Sequence, residues 1–377
     1  MPRYRSLSAA AVAILPAMIL GQVSGRADVQ PVRVHPAAVL SPQWRMTVNL
    51  HYGQVPNSSG YSEILAVGRV VWAFGGTNPG GQSSPVAMVL ADGVWHDSAL
   101  PSGLTNFISA ASAPKPNDIW AISQYGGYVV HWNGTRWSLV RRWSQSGELT
   151  GVVAVSSRDV WVFGTSAYGD RTAGTWYFNG RTWEPFKAAG KNIYRASAVS
   201  AHDIWAIAAG PKVDSIERFG GRGWRHVRTG RVLIGVRWHD ILAVSQNDVW
   251  ILGNSENTQG IGKLVLAHWN GRHWTRFNTT LQAWAGQLAS VSDGYVVASA
   301  VSAGQAGDGL IVEMTSRGRL TWSTIGSSLG SGVTDVAYAP HSHVLWASGG
   351  VLTRLGGNAA LWTLALPHSA KRADPDD

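Results

Sequence analysis

The chain predicts an all-β fold, a seven-bladed β-propeller of four-stranded antiparallel blades. Three observations carry this: a repeating unit of four short β-type runs, two interleaved aromatic series with one member per unit, and no long helical periodicity after residue 42. The unit is clearest at residues 149–186, LTGVVAVSSRDVWVFGTSAYGDRTAGTWYFNGRTWEPF. Its runs are rich in Val, Trp, Tyr and Phe, which suit a pleated and partly buried surface. They are separated by Ser-Arg-Asp, a Gly-rich loop and Asn179-Gly180. Asn-Gly favours a type I′ turn whose twist matches the flanking strands, so the third and fourth runs form a tight hairpin.

The second run recurs as DIWAIS at Asp118, DIWAIA at Asp203 and DVWILG at Asp248, and the hairpin recurs as HWNGTRW and HWNGRHW. Second-run aromatics fall at Trp72, Trp120, Trp161, Trp205, Trp250, Tyr295 and Trp346, at intervals of 41 to 51 residues. Fourth-run tryptophans fall at Trp95, Trp137, Trp183, Trp224, Trp274, Trp322 and Trp362. That period is typical of four-stranded blades, and each series has seven members.

Taken in order, residues 1–27 read as a secretory signal peptide, with Arg3 and Arg5 before an apolar run from Leu7 to Leu20 and a small-residue site at Gly25-Arg26-Ala27. The expected localisation is therefore secreted, with no stable membrane insertion once the signal is cleaved. Residues 28–42 carry Pro31, Pro36 and Pro42 and read as an extended linker. The propeller is expected over 43–366 as one domain, and the charged tail 367–377 as disordered. The segment QWRMTVNL at 43–50 resembles an outer strand and could close the ring by pairing with the last blade, although ALWTLAL around Trp362 also reads as that blade's own fourth strand.

Charged residues are only 14% of the chain, and cysteine is absent, which excludes disulfides and thiolate metal sites. Loss of the leader lowers the net charge from +9 to +6, because it removes three arginines and no acid. The basic residues are dispersed, so no nucleic-acid partner is expected. The densest spots, Arg141-Arg142 and Arg225 to Arg228, read as a solvated rim. A monomer without cofactor or metal is expected.

At DVWVFG, the third–fourth hairpin and Trp183, the chain resembles the kelch and galactose-oxidase-type propellers, specifically the secreted actinobacterial ones with repeated DVWAVG and WNGxxW motifs. The resemblance covers residues 43–366 and implies a fold, not an activity. Galactose oxidases need copper and a cysteine-linked tyrosine, and no cysteine is present. Paired glycines of the kelch kind follow the second run only at Gly75-Gly76 and Gly349-Gly350. The sialidase Asp-box fails, because Trp132, Phe178, Phe219 and Trp269 stand where its aspartate belongs.

Gly326 to Gly330 matches G-x-S-x-G, but in a loop before a strand rather than at a strand–turn–helix elbow, so it reads as a flexible loop. His341 and His343 are too few ligands for a metal. Asp118, Asp159, Asp203 and Asp248 read as turn residues that accept backbone hydrogen bonds, and the patterned tryptophans as wedges between blades.

Function is expected where the repeat varies. Alignment on Gly151 gives a column at the start of the innermost strands of Glu63, Phe107, Gly151, Arg195, Asp240, Gln287 and Thr334, preceded by Ser62, Asn106, Thr150, Tyr194, His239, Gly286 and Val333. Nearby loops add Tyr125, Tyr128, Tyr168, Trp143, Trp238 and Trp284 as surface aromatics. The candidate ligand-binding set is Glu63, Tyr194, Arg195, Trp238, His239 and Asp240, at the channel mouth. A mixture of acids, a cation, a histidine and aromatic faces suits a carbohydrate or protein ligand bound without catalysis. The alternative is a glycoside-cleaving enzyme using Glu63 and Asp240. The two carboxylates sit four repeats apart, which favours binding, and no catalytic residue is assigned.

Overall fold

The computed structural model describes residues 44–51, 57–78, 83–143, 148–165, 174–186, 192–210, 213–256, 261–292, 294–303, 307–326, 330–354 and 356–366. The signal peptide, the linker, the tail, Tyr168, Ser327 and Ser328 lie outside the described residues.

All regular elements among the described residues are strands, and successive strands within a ladder pair antiparallel. A short strand, β1 (Arg45–Leu50), comes first. The first ladder is β2 (Asn57–Val67), β3 (Val70–Thr77), β4 (Ser84–Ala91) and β5 (Val94–Asp97). The next is a four-stranded sheet of β6 (Ala110–Lys115), β7 (Asp118–Ser123), β8 (Tyr128–Trp132) and β9 (Trp137–Arg142). Another four-stranded sheet holds β10 (Glu148–Ser156), β11 (Asp159–Thr165), β12 (Trp176–Phe178) and β13 (Trp183–Pro185). A further one holds β14 (Asn192–Ser200), β15 (Asp203–Ala209), β16 (Ser215–Phe219) and β17 (Trp224–His226).

A longer ladder runs through β18 (Val236–Ser245), β19 (Asp248–Ser255), β20 (Lys263–Trp269), β21 (Trp274–Ser292), β22 (Tyr295–Ser302), β23 (Gly309–Thr315) and β24 (Leu320–Ile325). Within it β21 has two parts. Trp274 to Gln282 pair with β20 as an outer strand, and Ala283 to Ser292 pair with β22 as an inner one. The last strands are β25 (Ser331–Ala339), β26 (Val344–Thr353) and β27 (Gly356–Ala365). The inner strands β2, β6, β10, β14, β18, β21 and β25 lie side by side in that order, and β25 returns to β2.

Burial explains the composition of each strand type. A strand covered on both faces reads as a continuous apolar run, and β7 is buried at every position. The fourth strands β5, β13 and β17 are largely exposed. The core lies between ladders: Trp161 and Phe163 of β11 pack with Ile204, Ala206 and Phe219 of the next sheet. The Asn-Gly hairpins form, with Gly134, Gly180 and Gly271 at positive φ, the region open to glycine at no steric cost.

The repeated aspartates are structural: Asp248 accepts the backbone amide of Gly294 at 2.7 Å, and side chains supply further donors. Trp120 Nε1 donates to Asp118 Oδ1 at 2.9 Å and Trp250 Nε1 to Asp248 Oδ1 at 2.7 Å. Each indole stacks on the histidine paired with it on the third strand, His131 at 4.2 Å and His268 at 4.3 Å, and each histidine also reaches the aspartate. In β15 the same aspartate position, Asp203, takes a bidentate Arg218, whose guanidinium lies 4.7 Å from the Trp205 ring.

Three expectations about register are corrected. β27 is a third strand, not a fourth: it pairs with β26 on one side and with β1 on the other, Met46 opposite Trp362. The N-terminal strand thus supplies the fourth position, and Trp44 acts there as Trp137 does elsewhere. Trp44 Nε1 donates to Ser323 Oγ at 3.1 Å, and Trp137 Nε1 donates to Ser98 Oγ at 3.1 Å.

Tyr295 is also displaced. Ser292 opposes Tyr295 as Ser156 opposes Asp159, so Val297 stands where Trp161 stands. Leu320, opposite Met314, holds the position that Trp183 holds opposite Phe178. Trp322 is 44% exposed. A shift of two residues keeps a side chain on its face but moves it about 7 Å along the strand, out of the wedge between ladders.

Candidate functional site

Each inner strand but β6 carries a β-bulge near its start: at Ser62, Thr150, Tyr194, His239, Gly286-Gln287 and Thr334. A bulge leaves one residue unpaired and re-aims its side chain. Most of these side chains bridge to the following inner strand. Ser62 Oγ donates to Ile108 O, Thr150 Oγ1 to Ile193 O at 3.2 Å, Tyr194 Oη to Trp238 O at 3.0 Å and Thr334 Oγ1 to Tyr61 O at 2.6 Å. The column varies in residue type but is nearly constant in role, since a hydroxyl of any size satisfies a neighbouring carbonyl. Variation there reflects the seam as well as any ligand.

The residue after each bulge forms the second column, and the bulges re-register it. Asp335, not Thr334, is equivalent to Glu63, Arg195 and Asp240. Phe107 leaves the column, because Ser112 faces Trp120 as Val153 faces Trp161, which makes Ala110 the equivalent of Gly151. The acids share a bond pattern. Asp240 Oδ2 accepts the amide of Leu288 at 2.8 Å, Asp335 Oδ2 that of Ile64 at 2.7 Å, and Glu63 that of Ala111. Every one of these amides belongs to the next inner strand.

These side chains meet at the centre. Gln287 Nε2 donates to Glu63 Oε2 at 3.3 Å and to Ser62 O at 3.4 Å, although β25 lies between β21 and β2 in the ring of neighbours. Glu63, Asp240 and Asp335 act on one another electrostatically, and Arg195 is the cation that draws Glu63 and Asp240 down. Glu63 and Asp240 are therefore not too widely separated to interact.

Burial nevertheless dominates: it pushes Glu63 up to about 8 and Asp240 up to about 6, and holds Asp335 well above the usual carboxylate range. Burial, then Arg195 and Arg237, depress His239 to about 4. Arg195 donates through Nη1 to Thr150 O and to Tyr194 O at 3.2 Å, and its buried Nε has no acceptor among the described residues. No three of His, Cys, Asp and Glu are disposed to hold a metal among the described residues.

Two residues of the predicted set are engaged within the fold. Trp238 is 1% exposed and packs with Trp205, Ile207 and Ile251 in the core. Tyr194 spends its hydroxyl on Trp238 O and on Asp214 Oδ2 at 2.8 Å. Among the other aromatics Tyr128 is fully buried and Trp143 is half-buried against Trp176 and Trp183, whereas Trp284 is 52% exposed. The central set is Glu63, Arg195, His239, Asp240, Gln287 and Asp335. Asp335 escaped sequence alignment because a bulge offset of one residue leaves no mark in residue type.

The shifts fix a pH dependence. Glu63 and Asp335 bind protons more tightly folded than unfolded, so their ionisation destabilises the fold as pH rises. His239 acts oppositely, but only between about pH 4 and its ordinary 6.5. The unfolding midpoint in urea should therefore fall from pH 6.5 to 8, and Glu63→Gln should flatten that fall. A midpoint that rises over this interval would contradict the buried carboxyl.

No protein-family model matches the chain, and no curated protein sequence matches it. Solved structures do. YCF48 bound to D1 peptide superposes with TM-score 0.60 at 13% identity, over 90% of this chain and 99% of that one. A catalytically inactive virginiamycin B lyase from Staphylococcus aureus with quinupristin gives 0.58 at 12%, over 85% and 99%. The Cps50 (Swd1) β-propeller domain of Myceliophteria thermophila gives 0.54 at 11%, over 86% and 100%. The shared fold is the β-propeller, and at these identities the likeness extends no further.

Proposed function

We propose that this chain is an exported, seven-bladed, kelch-like propeller that works as a non-catalytic monomeric binding module, taking a protein segment or a carbohydrate at its channel mouth. The seven-blade count draws on the unbroken succession of inner strands from β2 to β25 and back. Export draws on the leader-like residues 1–27. The observation that carries the binding role is convergence: Glu63, Arg195, Asp240 and Asp335, spread over 273 positions, act on one another at one end of the inner strands. A peptide segment is the preferred ligand, because YCF48 was solved with a peptide on a propeller of this kind. Backbone and side-chain amides of a peptide match a site rich in both donors and acceptors.

The test is a peptide array beside a glycan array, using the exported form after its N-terminus has been read. Arg195 and Asp240 hold backbone groups, so their alanine variants would also weaken the fold. Glu63→Gln is the better probe, since an amide mimics the protonated carboxyl that prevails at pH 6. Its midpoint there should be nearly unchanged, while affinity should fall about 10-fold or more through loss of a strong acidic hydrogen bond. Unchanged affinity, or a ligand mapped to the opposite face, would overturn the proposal.

A glycoside-cleaving reading draws on one observation: Glu63 is kept protonated near neutrality while Asp240 titrates lower, the split expected of an acid and its partner. Turnover in a hydrolase panel, abolished by Glu63→Gln, would favour it.

A further inference from the structure

Arg142, Arg225 and Arg228 are exposed, whereas Arg141 is half-buried. Its guanidinium carbon sits 4.1 Å from the Trp176 ring centre and 4.9 Å from that of Trp143, and the two indoles meet edge-on at 5.8 Å. Trp183 closes the group, 5.9 Å from Trp143. Contact with two rings favours the cation and holds its plane, but it leaves the hydrogen-bonding edge unused. No acceptor among the described residues reaches it, and Arg141 Nε is buried without a partner. The indole Nε1 groups of Trp143 and Trp183 are buried and unpaired as well. Buried indoles without an acceptor recur elsewhere, at Trp205 and Trp224 among others, so the feature that sets this place apart is the stacked guanidinium of Arg141 with its buried, unpartnered Nε.

Arg218 shows what this chain does with a ring-stacked arginine that is complete. It lies 4.7 Å from Trp205 and gives Nε and Nη2 to the two oxygens of Asp203, at 2.6 and 2.9 Å. Arg141 has the aromatic half of that arrangement, with no carboxylate on it among the described residues.

We propose that Arg141, with Trp143, Trp176 and Trp183, forms an oxyanion-binding site on the seam between β9 and β12–β13, in which a carboxylate, sulfate or phosphate of an external ligand takes the place that Asp203 fills for Arg218. Burial lowers the basicity of Arg141, and an incoming anion would reverse that penalty. The site is separate from the channel mouth and does not depend on the binding role assigned there.

The experiment is a titration of the full exported protein, labelled with nitrogen-15, with acetate, sulfate or phosphate at constant ionic strength. The arginine Nε–H and indole N–H resonances are followed, and Arg141 is assigned by the spectrum of Arg141→Lys. The expected result is a saturable shift of Arg141 Nε–H with at least one anion, accompanied by an indole resonance and absent from Arg218. Acetate against sulfate and phosphate separates planar from tetrahedral ligands. Arg141→Lys keeps the charge but loses the fork, so it should abolish the saturable indole response while leaving the unfolding midpoint close to the parent's. A response that is linear, common to all arginines, or kept in Arg141→Lys would overturn the site.

Discussion

Trp161→Ala should destabilise the protein by about 3–5 kcal/mol, the range for a large buried aromatic cut to a methyl. Trp161 is nearly inaccessible and sits among Tyr177 at 4.7 Å, Phe186 at 4.8 Å and Phe219 at 4.9 Å, with Trp224 at 6.0 Å. Those rings belong to two adjacent sheets, so neither can close the cavity without moving away from the other. Its indole also holds Asp159 at 3.1 Å. Trp322→Ala, at an exposed position two residues from the wedge, should stay within about 0.5 kcal/mol. Urea titrations of the two variants decide it, and equal losses would refute the register assigned to β24.

Deleting residues 1–51 should make the protein self-associate more readily than the full chain. The deletion removes β1 and strips the outer edge of β27, leaving Ala359 to Thr363 without the pairing they now have and Trp362 uncovered on that side. A free edge of this kind pairs with whatever strand is available, including one from a second copy. Size-exclusion chromatography with light scattering should show association, and thermal unfolding should begin earlier. Deleting residues 1–42 alone should change neither. Adding a synthetic peptide of residues 43–51 to the longer deletion should reverse that association. A stable monomer without β1 would mean that β27 needs no partner.

The units, the hairpins and the wedge tryptophans were legible because each depends on residues close in sequence. Asn179-Gly180 turns because of its own backbone preferences, and DVWVFG is buried because its apolar run suits a strand covered on both faces. Where the aromatic pattern weakened, matching by residue type placed Tyr295 where Val297 belongs, and Trp322 where Leu320 belongs. The candidate site was legible in part. Glu63, Arg195, His239 and Asp240 were found from the column of variable residues, Trp238 was mistaken for a surface platform, and Asp335 was missed.

By itself the sequence determined an all-β chain of repeated four-strand units with aromatic wedges, because strand propensity, turn chemistry and period are local properties that survive without knowledge of partners. Tertiary structure alone decided which strand completes β27, where the bulges fall, which carboxylates meet, and which stacked arginine has a carboxylate. Trp44 and Trp362 look alike as text, and only pairing across 318 positions, Arg45 opposite Thr363, makes one a fourth-strand residue and the other a third. Arg141 and Arg218 both lie against tryptophan, and what separates them among the described residues is an aspartate, Asp203, that the fold brings to Arg218.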